Sequence, residues 1–186
     1  IEDVLCGRCE PAKAIVPSPL YAGLSVISAP YEGGEVAAVP LGRLLQAVRP
    51  YFDLILLDTA AGMGAPFTAA ATVADRALLV LTPDPVALRD GKIVADRLLA
   101  RGRPQSAVRL VMNRVTRDSF GKRASVEDLD ECIDTVGAQL IAVIPESVAL
   151  QQAGATGTVP PAHDAAVVAG QALAKRLCGQ RVPLTF

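Results

Sequence analysis

No window of eighteen consecutive apolar residues occurs in this chain, and its start shows neither a basic region nor a secretory cleavage pattern. Neither a membrane-spanning helix nor a leader is therefore expected, and the chain reads as a soluble, cytoplasmic protein. Excess charge is lacking too: 18 Lys and Arg face 19 Asp and Glu, a net −1 that gives no global field for nucleic acid or anionic lipid. Four cysteines are too few and too scattered for a disulfide scaffold. Cys6 and Cys9 form a C-x-x-C pair, but zinc needs further ligands, and the one histidine is the distant His163. No functional thiol site is expected.

What is present is apolar residues, 51% of 186, enough for one well-buried domain, 1–186. The first residue is Ile rather than Met, which leaves open that this is a piece of a longer product. Short apolar runs suited to buried strands recur at 24–27, 54–57, 77–81, 108–112 and 140–144. Stretches with helical spacing fall between and after them, at 41–48, 66–73, 85–99, 125–136, 147–155 and 162–178. The alternation predicts an α/β fold, a doubly wound and mostly parallel sheet with helices on both faces. Asp84 suits a cap for the third helix, with Pro85 in its first turn, and Ser125 with Asp128 resembles a capping box for the fourth. The segment 114–123 carries Arg114, Arg117, Lys122 and Arg123 and reads as an exposed loop.

The most telling segment is Tyr51 to Gly64, YFDLILLDTAAGMG. Leu54, Ile55, Leu56 and Leu57 do not alternate with polar residues, so this reads as a strand covered on both faces. It would deliver Asp58 to its carboxyl end, where open α/β sheets place their ligands and where a carboxylate can hold Mg²⁺ through water. A strand-ending Asp that merely caps the next turn is the plainer alternative. Two further strand ends, Thr82-Pro83-Asp84 and Asn113-Arg114, would share that edge. The amide of Asn113 offers a donor and an acceptor, which adenine complements at N6 and N7, although a turn-forming Asn is the alternative there.

The order of segments resembles the MinD/ParA family of P-loop ATPases, most of all its MinD branch, which positions bacterial cell division. The matching pieces are Asp3-Val4-Leu5-Cys6-Gly7-Arg8, Gly23-Leu24-Ser25-Val26-Ile27, Phe52 to Gly62, Thr82-Pro83-Asp84 with Arg89-Asp90, Val111 to Arg114, and Ala142-Val143-Ile144-Pro145-Glu146. The resemblance implies ATP and Mg²⁺ as cofactors. It implies Asp58 as the catalytic Walker B aspartate that orders Mg²⁺ through water, and 59–62, with Thr59 and Gly62, as the switch loop. It places Asn113 and Arg114 at the adenine, and Pro145 and Glu146 in the loop that closes over the base. In this family ATP drives homodimerisation, the dimer binds a membrane or DNA, and an activator protein triggers hydrolysis. The resemblance implies peripheral association with the inner face of the cell membrane as a second location.

The departures are as specific as the matches. The family's first strand and its deviant Walker A loop are absent; Gly91-Lys92 and Gly121-Lys122 are followed by Ile93 and Arg123, and neither is a P-loop. That loop supplies the phosphate cradle in phosphoryl transfer, so this chain alone is expected not to hydrolyse ATP. Gly64 stands where MinD proteins usually carry an acidic residue. No basic amphipathic helix closes the sequence, which leaves a membrane surface unsupported as a partner. Nucleic acid is not expected either, the 114–123 loop being the one basic candidate for a ParA-like partition ATPase that coats DNA. A non-catalytic scaffold that kept the fold and lost the phosphate site is a third reading. A dehydrogenase reading of Gly62-Met63-Gly64 fails because Phe67 takes the third glycine position.

Overall fold

A computed structural model describes residues 1–28, 36–60, 62–122 and 124–184. Ala61 of the expected switch loop and Arg123 of the basic segment lie outside them. The chain divides into two compact units, Ile1–Asp75 and Arg76–Phe186.

The first unit holds two short helices, α1 (Glu2–Leu5) and α2 (Pro11–Ala14), and two short strands, β1 (Val16–Pro17) and β2 (Ser25–Val26). It continues with α3 (Ala38–Val48), one 3₁₀ turn at Arg49–Tyr51 and α4 (Ala65–Val73). Its core is Leu41 and Leu45 of α3 against Ala69 of α4, with Leu5, Val36, Ile55, Leu57 and Val73 packed around them. The helical spacing of Leu41, Leu44, Leu45 and Val48 puts these four on one buried stripe of α3.

Two expected strands turn out differently. The 24–27 run shrinks to β2, which pairs antiparallel with β1 through Val16–Val26 and Pro17–Ser25 rather than joining a parallel sheet. The 54–57 run forms no strand. Only its alternate residues Ile55 and Leu57 find cover, while Leu54 is 48% and Leu56 72% exposed. Four consecutive leucine-type residues read as doubly covered, but the ladder that would make them a strand needs a hydrogen-bonded neighbour, and burial here reaches one face of the segment.

The second unit is a parallel α/β layer. Its elements are β3 (Ala77–Leu81), α5 (Pro85–Ala100), a 3₁₀ turn at Gln105–Ala107 and β4 (Val108–Val115). After these come α6 (Leu129–Val136), β5 (Gln139–Pro145), α7 (Val148–Thr156) and α8 (Ala165–Leu177). The strand order is β3-β4-β5, both pairings parallel, with Leu81 opposite Met112 and Met112 opposite Val143. Strand β4 lies in the middle, and its consecutive Leu110, Val111 and Met112 are all buried, the signature of a strand covered on both faces. The fold is thus the predicted α/β, doubly wound class with a mostly parallel sheet.

Helix α5 lies on β3, and a glycine makes the approach close: a Cβ at Gly91 would stand 2.2 Å from Leu81 Cδ1. The fourth helix starts four residues later than its spacing suggested, because Asp128 rather than Ser125 caps it; the Asp128 carboxylate accepts from the Glu131 amide at 2.9 Å. It stops at Gly137, whose φ of 72° is the left-handed conformation that ends helices. Arg176 of α8 donates to the Ile141 carbonyl of β5 at 3.0 Å and to the Val182 carbonyl at 3.0 Å, bracing the segment after α8 against the sheet.

Candidate functional site

The carboxyl ends of parallel strands all point to one edge, so the polar residues just beyond β3, β4 and β5 gather there. After β3, Thr82 donates to Asp84 at 2.5 Å, and the Asp84 carboxylate accepts from the amides of Val86 and Ala87 at 3.1 and 2.9 Å. Its pKa is held below the ordinary 3.8, first by the Thr82 hydroxyl and then by the Ala87 amide. Both side chains are therefore engaged in opening α5.

The ends of β4 and β5 build a cavity instead. Regular pairing sets Asn113 opposite Ile144, but the next pair is Val115 with Pro145, which leaves Arg114 as an extra residue on β4. Arg114 has a φ of 58°, the one positive value among the described non-glycine residues. Such bulges bend a strand and re-aim its side chains. Here Arg114 Nη2 comes 2.9 Å from Glu146 Oε1, and the Glu146 amide donates to the Val115 carbonyl at 3.0 Å. The guanidinium, by hydrogen bond first and by charge second, holds the Glu146 carboxyl below its usual range, with a smaller contribution from the Gln151 side chain.

Beside this pair lies a cavity of about 290 Å³ lined by Asn113, Arg114, Pro145, Ser147, Leu150 and Gln151. Ser147 fixes its far wall. The hydroxyl accepts from the Leu150 amide at 3.0 Å, capping α7, and donates to Asp164 Oδ2 at 2.8 Å. Asp164 in turn accepts from the Ala166 and Val167 amides at the start of α8. The cavity is a half-open, partly apolar hollow with an amide, an ion pair and a hydroxyl around it.

Four predicted site residues, Asn113, Arg114, Pro145 and Glu146, thus come together. Asp58, Thr59 and Gly62 belong to the first unit, where Asp58 and Thr59 are exposed near the end of the irregular 54–60 segment and Gly62 has a φ of 103°. Sequence reasoning missed Ser147, Leu150, Gln151 and Asp164. Ser147 had a readable signal as a cap-forming residue ahead of a helix, whereas nothing in the spacing joins it to Asp164, seventeen positions on. Among the described residues, no three His, Cys, Asp or Glu side chains gather as a metal centre, and no helix is long and apolar enough to cross a membrane.

No family model matches the chain. A septum site-determining protein MinD of Bacillus subtilis (strain 168) is 28% identical over 191 residues, covering 98% of this chain and 69% of that protein. The MinC:MinD cell division protein complex of Aquifex aeolicus superposes with a TM-score of 0.86 at 27% identity, over 100% of this chain and 75% of that one. The chain belongs to the MinD/ParA family. A further MinD/ParA fold, the septum site-determining protein MinD of Pyrococcus horikoshii complexed with Mg-ADP, has a TM-score of 0.75 at 21% identity, over 95% of this chain and 72% of that one. Within the MinD/ParA family, the relatives that match nearly the whole chain place it with the MinD-like cell division ATPases.

Proposed function

We propose that the chain is an ATP-binding domain of a MinD-like ATPase that takes part in the spatial regulation of bacterial cell division, its 186 residues acting as one domain. The observation that carries the reading is the cavity at the ends of β4 and β5, where Asn113 can meet an adenine edge between Pro145, Ser147 and Gln151. Polar groups gathered at strand ends are what nucleotide sites in open α/β sheets use. The MinD relatives and the Mg-ADP complex of the Pyrococcus protein support the same ligand class.

Mg²⁺ is compatible with the residues present. In nucleotide sites this cation takes one or two carboxylates, several waters and phosphate oxygens, and Asp58 is an exposed carboxylate followed by the small residues Thr59 and Ala60. Bound with a nucleotide, the cation would neutralise phosphate charge. Asp58 is the residue to hold its waters, and the 59–62 loop is the segment to respond to the outermost phosphate. The sequence contains no Walker A lysine pattern, so turnover by these residues alone is not expected. An ATP-dependent homodimer and an activator protein are the partners of this reading, and the MinC complex of the Aquifex protein supports one protein partner. The location that goes with it is cytoplasmic, with peripheral association at the inner membrane face.

Calorimetric titration with MgATP and with adenosine tests the reading. Saturable binding of both, with Asn113→Ala weakening each about tenfold, is the expected result, the loss matching one bidentate amide contact. Asp58→Ala should weaken MgATP binding and leave adenosine untouched. Absence of any nucleotide binding would replace this reading with the scaffold, and salt-sensitive retention of duplex DNA would replace it with the partition ATPase.

A further inference from the structure

We propose that Arg114 is a specificity-determining residue, which disfavours guanine in the cavity by holding the Glu146 carboxylate occupied. The inference rests on the reading of the cavity as a purine site.

Asn113 and Glu146 favour opposite bases. The Asn113 amide, one donor and one acceptor, matches adenine at N6 and N7; guanine offers two acceptors there, O6 and N7, one of which must face the amide oxygen. An unpaired carboxylate has the reverse preference. It has acceptors alone, guanine presents N1–H and its 2-amino group side by side as two donors, and adenine presents at N1 an acceptor that a carboxylate repels. Glu146 does not itself line the cavity, but its Oε1 lies 2.9 Å from Arg114, which does, so a free Glu146 would be a hook for guanine at its rim.

The backbone is arranged so that this hook is taken. Were β4 to pair without interruption, the residue after Asn113 would sit opposite Pro145; instead Val115 does, and Arg114 is pushed out of the ladder. It adopts a left-handed φ of 58°, disfavoured for a residue with a side chain, and its guanidinium reaches Glu146 Oε1 at 2.9 Å. The Gln151 side chain adds a hydrogen bond to the same carboxylate from α7. Neither guanidinium nor amide donor can be satisfied by guanine's two donors. To gain the carboxylate, guanine must first break the ion pair, whereas adenine leaves it in place.

The pair is exposed, with side-chain accessibilities of 60% and 36%, so the discrimination it imposes is modest. Titrations of adenosine and guanosine, followed by amide chemical shifts in the intact chain, measure it. The wild-type chain should prefer adenosine. Arg114→Ala should narrow the adenosine-to-guanosine affinity ratio by about threefold to fivefold, mainly through tighter guanosine binding, the range an exposed ion pair allows. Arg114→Gly, which suits the left-handed backbone, should do the same. Adding Glu146→Gln to either variant should restore the original ratio, because the carboxylate is what guanine gains.

A purely structural Arg114 predicts another pattern: equal weakening of both nucleosides with an unchanged ratio, or a guanosine gain that survives Glu146→Gln. Either result overturns the inference while leaving the purine reading intact. Failure of the wild-type chain to bind either nucleoside overturns the purine reading, and the inference with it.

Discussion

Ser147 donates its hydroxyl hydrogen to Asp164 at 2.8 Å, which ties the first turn of α7 to the first turn of α8 through a single hydrogen bond between their capping side chains. The cavity wall formed by Ser147, Leu150 and Gln151 is therefore anchored from behind by a residue that does not line it.

Acid sensitivity is a consequence of that link. The Ser147 hydroxyl first, and then the Ala166 and Val167 amides and the His163 charge, hold the Asp164 carboxyl below its ordinary 3.8. A carboxyl depressed on folding stabilises the native state above its unfolded pKa, and that contribution is lost as pH falls through the folded value. Thermal melts between pH 6 and pH 3 should show Asp164→Asn, which keeps the cap without the charge, losing less stability over the acid range than the wild type. Parallel curves would remove Asp164 from the acid transition.

Helix α5 depends on its own cap. Asp84→Ala removes the acceptor for two amides and the partner of Thr82, and should cost about 1 kcal/mol, the usual value for an N-cap. Urea unfolding should register a lower midpoint at unchanged slope. An unmoved midpoint would mean that the Thr82 hydroxyl takes over the capping.

Thiol reactivity separates the cysteines by environment. Cys132 is fully buried on α6, and burial first, with the charges of Glu131 and Asp128 next, pushes its thiol up to about 11. Cys6 and Cys178 are exposed. Native alkylation at neutral pH, read by peptide mass, should label the two exposed cysteines and spare Cys132 until denaturant is added. Early labelling of Cys132 would show that α6 opens locally.

At the centre of the sheet, Met112 has no exposed surface. Met112→Ala should cost about 2 to 5 kcal/mol, the range for emptying a closed core position. Because Met112 precedes Asn113, the same variant should loosen the cavity, and adenosine binding measured below the unfolding midpoint should weaken with it.

Much of this was legible in the residues themselves. Strand β3 occurs where an uninterrupted apolar run predicted it, and β4 and β5 extend only slightly beyond their runs, because Leu110, Val111 and Met112 leave no polar residue that a solvent-facing side could use. Asp84 and Pro85 opened α5 for reasons confined to one turn. The 54–57 run has the same local character and yet carries no strand, since a ladder requires a neighbour that no local pattern encodes.

The candidate site divides in the same way. Asn113 was recognisable because it comes just past the end of an apolar run, and parallel strands bring the residues at their carboxyl ends to one edge, whereas Pro145 and Glu146 were marked only by the family resemblance. That Arg114 leaves the ladder to reach Glu146, and that Ser147 is held by Asp164, depends on register between strands and on the docking of two helices. Hydrophobic pattern and capping chemistry act over a few residues, so the sequence by itself determined the elements and the chemistry at their ends. Which of those ends touch is set by contacts between residues seventeen to thirty-two positions apart, and only the tertiary structure decided it.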